Sequence, residues 1–285
     1  MKCALVLEGG ASRAYFTVGV LDALYDMGIK ADYVIGTSAG IANGISYVSG
    51  QRGRSLEIGL SYLPDKRYMG LRHLINPKNR SLYNIKFVFD EIPNIHLPFD
   101  YDAYEKSGCR VIAALTNIET GKCEYVPVPH NDKKWRVVTA SCALPLIFQP
   151  VEIDGKLYMD GGITDSIPVD KALSDGYEMP IVITTRERSY IKKDESALKI
   201  SRFLYRKYPA FSEAIKLRTK TYNETHKRVL ELEKEGKIIH IAPETDTSGW
   251  KRTEKSNNAV MKMYNEGYQT AMKYKDKIKM SGFGD

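Results

Sequence analysis

The sequence predicts an α/β fold, a mainly parallel sheet with flanking helices. Three observations predict it. Cys3–Leu7 is a short unbroken apolar run, the pattern of a strand buried on both faces. Gly9-Gly10 follows, then Phe16, Val20, Leu24 and Met27 recur at helical spacing until Gly28 supplies a stop signal. A second unit of the same kind begins at once: a strand over Tyr33–Ile35, the turn Gly36-Thr37-Ser38-Ala39-Gly40, and a helix from about Ala39 to Val48.

The next stretch reads differently. Residues 51–106 carry scattered Pro and Gly, several aromatics, and the basic residues Arg52, Arg54, Lys66, Arg67, Arg72, Lys78, Arg80 and Lys86. This predicts an insertion of short helices and loops, in the manner of a lid. The sheet resumes at Arg110–Thr116, with a hairpin around Glu119-Thr120-Gly121-Lys122. Trp135–Ala143 reads as a helix ended by Pro145, and "VEIDGKLYMDGG" as a hairpin turning at Asp154-Gly155. Pro180–Thr185 is another buried strand. Helices from about Ala197 and Ser212 follow, then a strand at Ile238–Ala242 and a last helix over Asn257–Lys279. No linker interrupts the chain, so residues 1–285 are read as one domain, with residues 191–285 supplying C-terminal helices and one strand.

Composition sets outer bounds. At 43% apolar and 27% charged over 285 residues, the chain has the make-up of a globular protein with a sizeable core and excludes a disordered one. A net charge of +7 suits anionic lipid and nucleic acid equally, but no block of like charge and no nucleic-acid motif accompanies it. Cys3, Cys109, Cys123 and Cys142 form no CxxC pair; Cys3, Cys109 and Cys142 have mostly small or apolar neighbours. That pattern predicts buried free thiols in a reducing compartment, without a disulfide or zinc framework. The N-terminal "MKCALVLEGGASRA" has the outline of a signal peptide, but Glu8 cuts the apolar run short. No stretch reaches the roughly 18 apolar residues needed to cross a bilayer, so a cytoplasmic location is expected.

The turn "YVIGTSAGIANG" carries the chemistry. Gly-x-Ser-x-Gly between a strand and a helix is the pattern of a nucleophile elbow; the competing reading makes Ser38 a simple helix N-cap. In the elbow, side chains at positions 36 and 40 would strike neighbouring backbone, hence Gly36 and Gly40. The helix that starts there aims its N–H groups and positive dipole at the serine, and the Ala39 N–H can donate to an oxyanion. Gly9-Gly10-Ala11 lies at the same carboxyl edge of the sheet, where ligands bind, with Arg13 placed to hold the loop. A dinucleotide loop is disfavoured because G-x-G-x-x-G is missing.

Two routes to a general base stay open on residue types alone. A histidine would have to be His226, in the charged "TYNETHKRVLELEKE" and read as a solvated surface residue, or His240, read as half-buried in a strand. His73, His96 and His130 have no better claim. The other base is Asp160 in "LYMDGGITDSIPV", whose bland reading is a hairpin turn. An aspartate is a weak base near its usual pKa of about 3.9, so it depends on close contact, desolvation and a strong oxyanion hole.

Taken together, these motifs resemble the patatin-like phospholipase family: Gly9-Gly10-Ala11-Ser12-Arg13 after a first strand, Gly36-Thr37-Ser38-Ala39-Gly40 after a second, then Asp160-Gly161-Gly162. "ASCALPLIFQPV", Ala140 to Val151, is similar to the block that leads to the family's catalytic aspartate, and "MYNEGYQTAM" to the tail of bacterial members. The core of the resemblance spans residues 3–190. It implies a three-layer α/β/α fold and a Ser38–Asp160 dyad with no catalytic histidine. Gly9, Gly10, Ala11 and the Ala39 amide would hold the oxyanion, with Arg13, Gly36, Gly40, Gly161 and Gly162 in support. The implied activity is hydrolysis of fatty-acyl esters in phospholipids, lysophospholipids or related lipids, with no metal and no cofactor. The family usually has glycine where Ala11 and Ala14 stand here; a methyl at position 11 restricts positive φ.

Two segments bear on surfaces. Residues 51–86 carry eight Lys or Arg against Glu57 and Asp65, and "SRFLYRKYPAF", Ser201 to Phe211, mixes basic and aromatic residues. Each reads either as a patch that docks peripherally on anionic membrane or as an amphipathic helix packed on the core with a solvated basic face. The second pattern is the commoner one in soluble domains.

Overall fold

The structure, a computed structural model, describes residues 2–77, 79–194 and 196–283. The chain opens with β1 (Ala4–Leu7), α1 (Tyr15–Asp26), β2 (Tyr33–Gly36) and α2 (Ala39–Val48). The inserted stretch holds α3 (Arg54–Tyr62), α4 (Leu71–Ile75), a π-helical segment (Phe87–His96) and α5 (Tyr101–Lys106). Then come β3 (Arg110–Asn117), β4 (Cys123–Pro127), α6 (Arg136–Ser141), β5 (Val151–Ile153), β6 (Lys156–Asp160), α7 (Val169–Ser174) and β7 (Ile181–Ile183). The C-terminal part adds α8 (Ser196–Leu204), α9 (Pro209–Lys234), β8 (Ile239–Ile241), α10 (Asn257–Lys273) and α11 (Lys275–Met280). Of the basic residues expected in the insertion, Lys78 lies outside the described residues.

Among the described residues the strands run in the order β5-β6-β3-β2-β1-β7-β8, with β4 also paired to β3. β3, β2, β1, β7 and β8 are mutually parallel, while β4 and β6 run antiparallel to β3. Strand alternation then builds two cores. Leu5, Leu7 and Val34 face Phe16 and Leu24 of α1 and Ile41 of α2. Ala4, Val6, Tyr33 and Ile35 face Val169 of α7 and Tyr222 and Val229 of α9. Helices therefore cover both faces, the three-layer arrangement expected.

One register detail brings Ser38 and Asp160 to the same level of the sheet. β2 pairs with residues 110–113 of β3 and β6 with residues 115–117, while β4 occupies the opposite edge along residues 112–116. β2 and β6 thus share one edge of β3 and meet end to end. Gly36 sits level with Ala113 and Asp160 level with Leu115. The residue after next from Gly36 is Ser38. Asp160 therefore arrives at its level from the other direction.

The boundaries hold with local exceptions. Asp154 (φ 50°) and Gly155 (φ 76°) make the left-handed pair that a two-residue hairpin requires. The helix expected over Trp135–Ala143 shortens to Arg136–Ser141, because Trp135 itself is left-handed at φ 51°. The last helix is interrupted at Tyr274, between α10 and α11. Cys3 and Cys109 are buried as expected, but Cys123 and Cys142 are only partly so; all four are free thiols. No described helix is long and apolar enough to cross a membrane.

The C-terminal part is packed against the first helix at backbone distance. A Cβ placed on Gly267 of α10 would fall 2.0 Å from the Phe16 carbonyl oxygen of α1. Gly267→Ala must therefore push α10 off α1. It is expected to cost on the order of 1–3 kcal/mol, read as a lower midpoint of the main thermal transition; loss confined to a separate minor transition would mean that this contact is not part of the core.

Candidate active site

Ser38 sits at the apex of the turn with φ 54° and ψ −129°, a conformation few non-glycine residues adopt and one that persists only under constraint. The constraint is visible. A Cβ on Gly40 would lie 2.6 Å from the Glu8 carbonyl oxygen, and one on Gly36 would lie 3.0 Å from the Ile41 nitrogen. The start of α2 is thus wedged against the end of β1. The Ser38 amide donates to Ser141 Oγ at 2.8 Å, and Ser141 Oγ donates in turn to the Ala114 carbonyl at 2.9 Å. The side chain of Ser38 makes no capping bond to its helix. The N-cap reading fails here.

Asp160 closes β6. Its Oδ1 accepts the Gly162 N–H at 2.7 Å, and its own N–H donates to the Ala143 carbonyl at 2.9 Å. Its Oδ2 is buried and makes no hydrogen bond of normal length and angle among the described residues. The Ser38 hydroxyl is nevertheless near enough to act on the carboxyl as a donor. Burial raises the Asp160 pKa, against the smaller opposing pull of the Gly162 N–H, the Ser38 hydroxyl, Arg218 and Arg252.

The Gly9–Arg13 loop borders the serine. A Cβ on Gly9 would lie 3.1 Å from Ser38 Cβ. Gly9 departs from its expected part, since its N–H already donates to the Ser166 carbonyl at 3.3 Å. Among the described residues, no backbone bond outside helices and strands engages the N–H groups of Gly10, Ala11 or Ala39. Arg13 Nε donates to the Gly10 carbonyl at 3.3 Å and ties the loop back on itself. Ala11 takes φ 49°, the left-handed conformation that favours glycine, so its methyl is tolerated at some strain without altering the turn. Gly161 and Gly162 form the short helical turn after Asp160, and Arg218 Nε caps it through the Gly162 carbonyl at 2.9 Å.

Two cavities meet at Ser38. One, about 150 Å³, is lined by Ala39, Ile58, Leu63, Phe89, Ile92 and Phe148 among others. The inserted segment forms much of its wall. The other, about 30 Å³, is polar and holds Ser38 and Asp160 together.

Neither histidine joins them. His226 is buried, not solvated, with its ring stacked on Tyr222 at 6.0 Å. His240 is wholly buried rather than half-buried; its ring nitrogens lie 2.9 Å from Thr184 Oγ1 and 2.9 Å from Glu233 Oε2. A charged helix misled in the first case, because one stripe of α9 faces the sheet. Neither residue lines either cavity. Among the described residues no group of three or more His, Cys, Asp or Glu side chains is placed to hold a metal ion.

The surface segments are mixed. Leu63, Met69 and Phe211 are buried, as in a helix packed on the core, while Leu71 and Ile75 in the insertion and Phe203 and Leu204 on α8 are exposed.

A model of the patatin-like phospholipase family matches residues 5–173, more than half of the sequence. The chain belongs to that family. Residues 208–281 match a separate model described as a domain of unknown function (DUF6363). Among family relatives, an uncharacterized protein YjjU of Escherichia coli (strain K12) is 27% identical over 65% of this chain and 52% of its own length. The patatin-like phospholipase domain-containing protein 7 of Rattus norvegicus is 30% identical over 65% of this chain and 14% of its own. A lysophospholipase NTE1 of Yarrowia lipolytica is 26% identical over 60% and 12% respectively. The chain thus matches about half of the bacterial relative and a small part of the eukaryotic ones. The crystal structure of VipD from Legionella pneumophila superposes with a TM-score of 0.53 at 16% identity, covering 97% of this chain and 67% of that one. That likeness concerns the fold.

Ser141 was not singled out from the sequence, although it stands inside the "ASCALPLIFQPV" block. Ser141→Ala leaves the buried Ser38 amide without its acceptor. The variant is expected to lose about 1–3 kcal/mol of stability and several-fold in turnover of any ester the wild type cleaves, measured by denaturant titration and initial rates. Unchanged stability and rate would mean that the bond does not hold the elbow.

Proposed function

We propose that the protein is a serine acyl hydrolase that cleaves fatty-acyl esters of phospholipids, lysophospholipids or related lipids through an acyl-enzyme on Ser38. The observation that carries this reading is the buried Asp160 carboxyl, its Oδ2 in no hydrogen bond, lining one small cavity with Ser38, which also lines the larger apolar cavity. The family membership and the relatives named lysophospholipase and patatin-like phospholipase support it.

In the reaction, Ser38 Oγ attacks the acyl carbonyl carbon while its proton passes to Asp160 Oδ2. The carbonyl oxygen becomes an oxyanion, stabilised by the N–H groups of Gly10, Ala11 and Ala39 and by the N-terminal end of α2. The intermediate collapses, the ester C–O bond breaks, and the leaving alkoxide takes the proton back from Asp160. Water then gives a proton to Asp160, attacks the acyl carbon and releases the fatty acid, returning Ser38 to its hydroxyl form. Burial serves this directly: a raised pKa makes Asp160 a better base than an exposed aspartate. Gly9 shapes the loop without donating.

The whole chain, residues 1–285, acts in this reading as one unit, with the inserted segment 51–106 as the cover over the acyl cavity. Exposed Leu71 and Ile75, close in sequence to Arg67 and Arg72, support peripheral contact with an anionic membrane, which would bring lipid to that cover.

Ser38→Ala and Asp160→Asn are each expected to reduce hydrolysis of p-nitrophenyl butyrate by on the order of a thousandfold or more, and a fluorophosphonate should label Ser38 alone by peptide mapping. Retained activity in either variant would overturn the dyad. A wild type that cleaves no ester and takes no label would favour a silent lipid-binding member.

Asp160 gives a further outcome with a definite sign. A raised native pKa means that the folded state binds the proton more tightly than the unfolded state, so its contribution to stability is fullest below the ordinary aspartate range and is lost as pH rises through the native value. Asp160→Asn should therefore be more stable than wild type at neutral pH, with the gain shrinking as pH falls towards about 4. Thermal midpoints of both proteins across pH 4–8 check this; a variant less stable at pH 7 would contradict it.

A further inference from the structure

The apolar cavity beside Ser38 is short for a long fatty-acyl chain. Its volume is about 150 Å³. An apolar cavity of about that size is filled by one benzene, a six-carbon body. A second hollow adjoins it: an outer groove of about 360 Å³, lined by Ile85, Thr139, Pro150 and Val151 among others. Among the described residues, Phe148 alone lines both spaces. Its side chain is buried, and its ring stacks on Tyr83 with centroids 5.2 Å apart and planes inclined by 26°. Tyr83 lines the cavity too, and meets Tyr68, another wall residue, edge-on at 5.8 Å. One aromatic ring thus divides the space that Ser38 opens into from the groove beyond.

That ring is fixed in place. It follows a strained turn, in which Leu146 takes φ 74°, the left-handed region that favours glycine. A bulky residue stays there only where its surroundings hold it. The holds are visible on both sides. The Ala143 carbonyl accepts the Asp160 N–H at 2.9 Å, and the Ile147 carbonyl accepts the Leu82 N–H at 2.8 Å. The Phe148 N–H itself donates to the Leu144 carbonyl at 3.0 Å. The segment is therefore tied at one end to the close of β6 and at the other to the inserted stretch. A packed wall of this kind yields to extra chain atoms only at the cost of strain.

We infer that Phe148 is the stop that sets acyl-chain length, so that the protein selects acyl groups of about six carbons or fewer and turns away long ones. The ring meets the far end of the chain and takes no part in acyl transfer, which makes it a specificity residue. Removing it joins the cavity to the outer groove and makes room for a longer chain. The inference rests on the ester hydrolysis assigned to Ser38.

The full-length wild type, Phe148→Ala and Phe148→Leu are assayed on p-nitrophenyl hexanoate and p-nitrophenyl dodecanoate, and each is titrated calorimetrically with dodecanoate. The expected wild-type kcat/KM favours the hexanoate by about tenfold or more. That ratio falls about tenfold in Phe148→Ala, and by less in Phe148→Leu, while dodecanoate binding tightens in the same order. The leucine variant keeps most of the buried side chain and carries the test if the alanine variant does not fold. A wild type that prefers the dodecanoate, or a ratio that no folded variant shifts, overturns the stop. Turnover of the hexanoate reports separately on Ser38. Should neither ester be cleaved, the titration decides. Tighter dodecanoate binding by a variant then keeps Phe148 as the stop and sinks the ester reading alone, whereas equal binding overturns the stop.

Discussion

The wedge between the end of β1 and the start of α2 is the constraint on which the rest of the site depends. Two residues into that turn, Ser38 is held at positive φ with its amide fastened to Ser141 and its hydroxyl turned away from its own helix. Relaxing the turn to an ordinary helix start would let Ser38 cap the helix, and the hydroxyl would be spent on backbone. The close fit of Gly40 against the Leu7 and Glu8 carbonyls excludes that relaxation, since any side chain at position 40 would collide with them. Ser141 extends the constraint across the sheet, because the carbonyl it grips belongs to Ala114, between the levels of β2 and β6. One hydroxyl therefore couples the elbow to the strand whose partner carries Asp160.

Much of this was legible in the residues, for reasons that differ between elements. The two opening strand–helix units were readable because a fully buried strand is uniformly apolar and a covered helix is periodic. The Asp154-Gly155 turn was readable because few residues accept its backbone angles. Ser38 and Asp160 were nameable from their glycine surroundings, but their meeting depends on β6 running antiparallel into the same edge of β3, and no local pattern specifies that. His226 was misread because α9 is charged on three sides and buries a narrow stripe. Ser141 was invisible because a hydroxyl that serves a distant amide has no signature of its own. The Gly9 amide, committed to Ser166, turns on a contact 157 residues away in the chain, as 166 − 9 gives.

Burying a carboxyl has consequences that reach beyond it. Asp160 keeps one oxygen on the Gly162 N–H and leaves the other without a bonded partner, so its ionised form is held at a cost that Arg218 and Arg252 partly offset from across the chamber. Both of those cations come from the C-terminal part, which also completes the sheet through β8 and packs α10 on α1 at backbone distance. The part of the chain that the family model does not match is therefore joined to the site in three ways: by strand pairing, by helix contact and by charge.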